Sequence, residues 1–185
     1  MQIEQNLLID ELVTLTDKAI DDAKKFKSLS DSALNFRRAE NEWSALECFE
    51  HLNLYGDFYL PEIEKQLLNN KPNSNNFIFK SGILGNFFAN SMKVTNGKVN
   101  KMKTPRDKNP INSQLSVTTI DRLLKQLEKL KTLLLQARTI NLTKAKTSIS
   151  LSKLIKLRLG DTFRFIVYHN ERHILQAQRN IAQQN

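Results

Sequence analysis

Residues 41–65 read NEWSALECFEHLNLYGDFYLPEIEK. Trp43, Leu46, Phe49, Leu52, Leu54, Tyr55, Phe58 and Ile63, continued by Leu67, recur at steps of three and four, the period of a helix that buries one face. The spacing predicts a helix from about Glu42 to Leu68. Pro61 lies well inside it, removes one backbone donor, and is expected to kink the helix or divide it after Leu60. His51 falls midway along, on the face shared by Ser44, Glu47, Cys48, Tyr55 and Phe58.

Upstream, Ile3, Leu7, Leu8, Leu12, Leu15, Ala19, Ala23 and Phe26 predict an amphipathic helix over about 3–27. The polar run SLSDSALNFRRAENE, residues 28–42, reads as a connector. Downstream, residues 69–115 are the least regular part, opening with NNKPNSNN and closing with KMKTPRDKNPINS around a short apolar helix expected in SGILGNFFANSM. Part of so long an excursion is expected to pack over the molecule as a cap or site wall. A third helix follows from about Val117 to Ile140, where Ile120, Leu123, Leu124, Leu127, Leu130, Leu134 and Ala137 oppose Arg122, Lys125, Lys129 and Arg138. The run NLTKAKTSISLSKL, residues 141–154, reads as a loop, and a fourth helix begins near Gly160 and Asp161. The expected fold is all-α: an antiparallel four-helix bundle, one domain over residues 1–185, with a long partly helical connection between helices two and three.

Composition agrees. Glycine (5) and proline (4) are scarce, which favours long helices over a turn-rich β fold. No charge-free apolar run approaches the roughly 20 residues a bilayer span needs, and the acidic, periodic N-terminus does not resemble a leader. A cytoplasmic protein with no membrane contact is expected. The single Cys48, between Glu47 and Glu50, is read as a buried core residue rather than a nucleophile.

The net charge of +9 is unevenly spread. Residues 1–70 hold 7 Lys/Arg against 14 Asp/Glu, and residues 71–185 hold 21 against 5, giving −7 and +16. Such asymmetry marks either a nucleic-acid surface or helical faces that pair with one another; the basic residues are scattered over several elements, which favours pairing. The stretch Lys93–Lys108 carries six basic residues and no aromatic residue to stack on bases, so it reads as a solvated loop. No nucleic-acid partner is expected. Glycine-rich phosphate loops, GxSxG elbows, cysteine zinc motifs and internal repeats are all missing from the sequence.

Chemistry concentrates in the three histidines. The run YHNERH places His169 and His173 four residues apart, on one helix face and about one turn from each other, so both imidazoles can approach one ion. Such a pair alone is a weak signal, since many lie on solvated faces. His51 strengthens it, because two histidines from one helix and one from another form a three-ligand set with open coordination positions. A lone core histidine would be the plainer reading of His51. Three neutral nitrogen donors suit a divalent metal ion, with zinc or nickel leading. Glu47, one turn before His51, is the candidate proton acceptor or partner of a histidine N–H, with an ordinary helical salt bridge as the alternative. Tyr55 and Gln176 can face the same centre, whereas Arg172 points away from the His169/His173 line.

NEWSALECFEHLNLYGDFYLPEIEK resembles the second-helix motif of the DinB-like superfamily, and LRLGDTFRFIVYHNERHILQAQRNI, residues 157–181, is similar to its last helix. KMKTPRDKNP, residues 101–110, is similar to the Pro-bounded segment of many members. The resemblance implies an up-down-down-up bundle, frequently a homodimer, with a metal held at the positions of His51, His169 and His173. Members include metal-dependent hydrolases and metal-dependent S-transferases that use a low-molecular-weight thiol such as bacillithiol or mycothiol. DNA binding is not implied. The expected function is therefore a hydrolase or thiol S-transferase acting on a small electrophilic molecule, with a non-catalytic metal-containing stress or ligand-binding protein as the alternative.

Overall fold

Ser44 starts the helix that organises the molecule. Its hydroxyl accepts the Glu47 N–H (3.2 Å) while the Glu47 carboxylate accepts the Ser44 N–H (2.8 Å), a reciprocal cap for two otherwise unpaired donors. In the computed structural model of the protein, which describes residues 1–72, 77–95 and 103–183, this helix runs from Ala45 to Asn69. It is not divided at Pro61. The proline is exposed, so the carbonyl it leaves without a donor has solvent beside it.

The described elements, in order, are β1 (Gln2–Glu4), α1 (Gln5–Lys25), α2 (Asp31–Asn35), α3 (Ala45–Asn69), β2 (Ile78–Lys80), α4 (Ile83–Met92), α5 (Thr118–Gln136), β3 (Lys146–Ile149), β4 (Ser152–Arg158) and α6 (Leu159–Ala182). The protein is mostly helical. The long helices α1 and α3 each pack against both α5 and α6.

Side-chain pairs give the directions. Along α3 and α5, Glu50 and Asp57 meet Arg122 and Glu64 meets Lys129, so these helices run parallel. Asp17 of α1 meets Lys131 of α5, and Asp10 meets Arg138 just beyond the end of α5, so these helices run antiparallel. His51 meets His169 and Tyr59 meets Phe165, which sets α3 antiparallel to α6. Two adjoining apolar clusters fill the interior: one around Leu12, Ile63, Leu134 and Phe163, the other around Phe26, Phe49, Leu123 and Ile174.

Several connections carry structure that periodicity did not reveal. The connector 28–42 contains α2, capped by the Ser30 hydroxyl. Residues 141–154, read as loop, belong largely to the antiparallel hairpin β3–β4, with Thr147, Ile149 and Leu157 buried and a register irregularity between Ser148 and Ile149. The segment is too short, and its alternation too broken by that irregularity, for a period of two to stand out. β1 pairs with β2 across Ile3 and Phe79. In the 69–115 excursion, the helix expected in residues 81–92 is α4, which packs on α6 and β4 as the anticipated cap. Residues 73–76 of its asparagine-rich opening, and Lys98 and Lys101 of its basic stretch, lie outside the described residues.

α4 is attached by a buried polar anchor. Asp161, on the first turn of α6, accepts hydrogen bonds from the Ser81 hydroxyl, the Gly82 N–H (2.8 Å) at the start of α4, and Arg164 Nη1 (3.1 Å). A Cβ on Gly85 would lie 2.4 Å from Asp161 Oδ2, so glycine is needed for this approach. Among the described residues, no helix is long and apolar enough to cross a membrane.

Candidate metal centre

The α3–α6 contact brings together the three histidines singled out in the sequence. Their ring centroids lie 4.6–4.9 Å apart, and one nitrogen from each falls within 4.8 Å of the others. All three are buried. His51 Nε2 and His169 Nε2 are 3.1 Å apart.

Hydrogen bonds on the far side of the rings fix which nitrogen faces inward. His51 Nδ1 lies 2.6 Å from the Lys108 carbonyl, which can only accept, so Nδ1 carries the proton and Nε2 presents its lone pair to the centre. His173 Nδ1 lies 2.9 Å from Gln176 Oε1 and donates in the same manner. His169 Nδ1 is buried with no hydrogen-bond partner among the described residues, and Phe165 lies nearly parallel to its ring at 5.6 Å.

This donor set fits a cation. Two nitrogens bound to one ion at about 2.0–2.1 Å are separated by about 2.9 Å at a right angle and about 3.3 Å at a tetrahedral angle; the observed 3.1 Å lies between. Burial pushes the His51 imidazole down to about 4, against the raising effect of its bond to Lys108 and with the help of the Lys108 and Arg172 charges. His169 and His173 are held well below the ordinary range by burial, then by charge repulsion within the cluster and from Arg172. All three imidazoles are therefore neutral near pH 7, the form that binds metal without first losing a proton.

Aromatic rings close the surroundings. Trp43 lies 4.6 Å from His51 and 5.7 Å from His173, and its indole N–H donates to Asn109 Oδ1 (3.0 Å). Tyr55 lies 4.9 Å from His51 and 4.6 Å from His169. Burial pushes the Tyr55 phenol up to about 12, so it stays protonated. Tyr55 and Gln176 thus stand where the helical spacing placed them. Arg172 is buried as well as turned aside: it donates to the Ser91 carbonyl (3.4 Å) of α4, yet its charge still acts on the histidines.

Glu47 meets groups other than the histidines. Its carboxylate, almost wholly buried, takes the Ser44 N–H, the Arg37 guanidinium and the Asn112 N–H (2.7 Å). The partner of His51 is instead the Lys108 carbonyl. Glu47 therefore ties the 28–42 connector and the 103–117 segment to the start of α3, and does not occupy the place of a free proton acceptor beside the imidazoles. Arg37 completes the tie by donating to Asn112 Oδ1 (2.6 Å). Asn112 adopts a left-handed backbone (φ 66°), which asparagine tolerates better than most residues.

Sequence reading placed Lys108 in a solvated loop and used Trp43 as an apolar and motif residue, giving neither a place at the centre. A tryptophan directly before a Ser-x-x-Glu cap was an available signal for Trp43; a backbone carbonyl from a loop leaves none. Beside the centre, a cavity of about 170 Å³ shares Tyr55 and Phe165 as wall residues. Residues 15–177 match the family model described as the DinB superfamily. No curated protein and no solved structure matches the chain.

Proposed function

The chain belongs to the DinB superfamily, and from that premise we propose a metal-dependent enzyme that joins a low-molecular-weight thiol, or water, to a small electrophilic molecule. His51, His169 and His173 would hold one divalent ion, with zinc or nickel the leading candidates. The parallel α3–α5 pair and the two antiparallel pairs support the family's up-down-down-up arrangement. A homodimer is proposed on the resemblance alone.

One observation carries the reading: the fixed rings of His51 and His173 turn their unprotonated nitrogens inward, to within reach of the third imidazole, in a buried space. A divalent ion held there supplies Lewis acidity, which lowers the pKa of a nearby thiol or water. The chain's own groups add to this. Lys108 and Arg172 are the charged side chains acting on the histidines, and both are cations, so an anionic nucleophile is favoured there. Trp43 and Tyr55 exclude water from the imidazole edges and hold the rings in place.

Thiol transfer is favoured over hydrolysis. Glu47 is committed to Arg37 and Asn112, so it is not free to receive the proton of the nucleophile. A thiol, at about 8.5, loses its proton to solvent far more readily than water at about 15.7. The alternative, a metal-containing binding protein without turnover, remains the reading if no reaction is found.

Elemental analysis of protein purified without chelator or affinity tag tests the first step, beside the triple variant His51→Ala, His169→Ala, His173→Ala. About one ion per chain, lost in the variant, is the expected result. Absence of metal, even after reconstitution with zinc or nickel, would remove the metal-enzyme reading. With metal present, a panel of electrophiles with and without thiols separates transferase, hydrolase and non-catalytic protein.

A further inference from the structure

The cavity beside the metal centre is not used by any step above. Its volume is about 170 Å³, and its walls are mostly buried side chains: Tyr55, Tyr59, Phe165, Met92, Ile149 and Leu157 are each at most 8% exposed. Protein interiors are close-packed, and voids larger than a water molecule are few. A space of this size kept open among buried apolar groups is therefore a feature of the site.

Size, shape and chemistry restrict the occupant. An enclosed apolar cavity of about 150 Å³ holds benzene; this one is similar in volume but open to solvent beside Leu151 and Lys103, and accommodates one six-membered ring with a small substituent. Tyr55 and Tyr59 stand nearly parallel, with planes 13° apart and centroids at 6.1 Å, and Phe165 lies 5.4 Å from Tyr59. Such ring faces and edges suit offset or edge-to-face contact with another ring. The polar groups are few: the Tyr59 hydroxyl already accepts the Ser150 N–H (3.3 Å), and the Tyr55 hydroxyl, Ser150 and the exposed Lys103 are the remaining polar members of the wall. A sugar or nucleotide would lose its water there and find too few partners.

Position links the cavity to the histidines. Tyr55 and Phe165 are wall residues and also ring neighbours of His169, at 4.6 and 5.6 Å. We propose that the cavity binds a small molecule built on a single apolar ring, and that this molecule is the electrophile of the reaction, its ring held by the aromatic wall and its substituent directed past Tyr55 toward the imidazoles. The identification of the occupant as a substrate rests on the metal-enzyme reading; its binding does not.

A ¹⁹F NMR titration with fluorobenzene tests this, on the protein as purified and after chelation. Expected are saturable broadening of the probe in both samples and affinity about tenfold weaker in Leu157→Trp, which fills the space. Leu151→Trp, at a wall residue 63% exposed, is expected to weaken binding without disturbing the core, and it carries the comparison if circular dichroism shows Leu157→Trp unfolded. An unbroadened resonance up to the probe's solubility limit, or affinity unchanged in the folded tryptophan variants, overturns the proposal. Ring binding in protein that cannot be loaded with metal would leave the ring site standing and remove both the metal-enzyme reading and the occupant's role as electrophile. Metal without ring binding would do the reverse.

Discussion

His51 has opposite demands on its two nitrogens: one donates to the Lys108 carbonyl, and the other faces two further imidazoles. A group with an ordinary value of 6.5, held near 4 in the fold, takes up its proton first in the unfolded chain. Stability of the metal-free protein is thus unaffected by this group above about pH 7, falls as pH drops below about 6.5, and stops falling on its account near 4. The slope is about 1.4 kcal/mol per pH unit for each histidine so held, and His169 and His173 act in the same direction. Denaturation midpoints of chelated protein between about pH 7 and pH 5 check this; a flat profile would mean that the imidazoles titrate as they do in water. Cys48 offers a second test. Burial, then the Glu47 charge, pushes its thiol far up, and the side chain is fully buried. Ellman's reagent should release no thiolate chromophore from the native protein and one equivalent per chain in denaturant; prompt reaction of native protein would contradict the packing.

At the scale of elements, the start of α3 and the seat of α4 are the points where single changes act furthest. Ser44→Ala removes one arm of the cap and should cost about 1 kcal/mol in urea denaturation. The loss should leave metal content unchanged, because the Arg37 and Asn112 contacts of Glu47 remain. Asp161→Ala should cost more, about 3–5 kcal/mol, since it leaves the buried Arg164 guanidinium without its carboxylate and the first turn of α4 without its acceptor. Hydrogen exchange would locate the damage: α4 amides should lose protection before those of α3. Equal loss across all helices would mean that α4 is not an independent unit. The helices themselves were legible because their apolar period is written within each segment. The β3–β4 hairpin was not, as each strand offers only a few alternating positions and Leu154, almost fully exposed, breaks the pattern of a buried face.

Across the whole molecule, the uneven charge of the two halves resolves in part into contacts between helices. Glu50, Asp57 and Glu64 of α3, and Asp17 of α1, pair with basic residues of α5, and Asp10 of α1 pairs with Arg138 just beyond its end; α5 lies against both helices. These exposed pairs are worth little singly, with a median near 0–1 kcal/mol; their arrangement favours the position of α5 over alternatives of the wrong sign. A bound ion acts on the whole fold by linkage. Zinc at about 100 times its dissociation constant should add about 2.7 kcal/mol, or very roughly 5–10 °C in melting temperature for a chain of this size. Loss of the shift in His169→Ala would assign it to the centre, and an unchanged shift would place the zinc elsewhere.

Amphipathic spacing in residues 3–27, 42–68 and 117–140, with the i,i+4 placement of His169 and His173, determined the helices and two of the three converging groups, because both signals are local to one segment. The place of His51 on the core-type face of the second predicted helix offered it as the third, and the likeness of residues 41–65 and 157–181 to one family implied the same three positions. Only tertiary structure decided what surrounds them. The Lys108 carbonyl is 57 positions from His51 and has no side-chain signature. Glu47 shares a helix face with His51, yet Arg37 and Asn112, brought in from two separate segments, claim its carboxylate. The ring-sized cavity is likewise assembled from α3, α4, α6 and the β3–β4 hairpin. Periodicity records which face of a helix is buried; which distant backbone or side chain meets that face depends on how the elements pack.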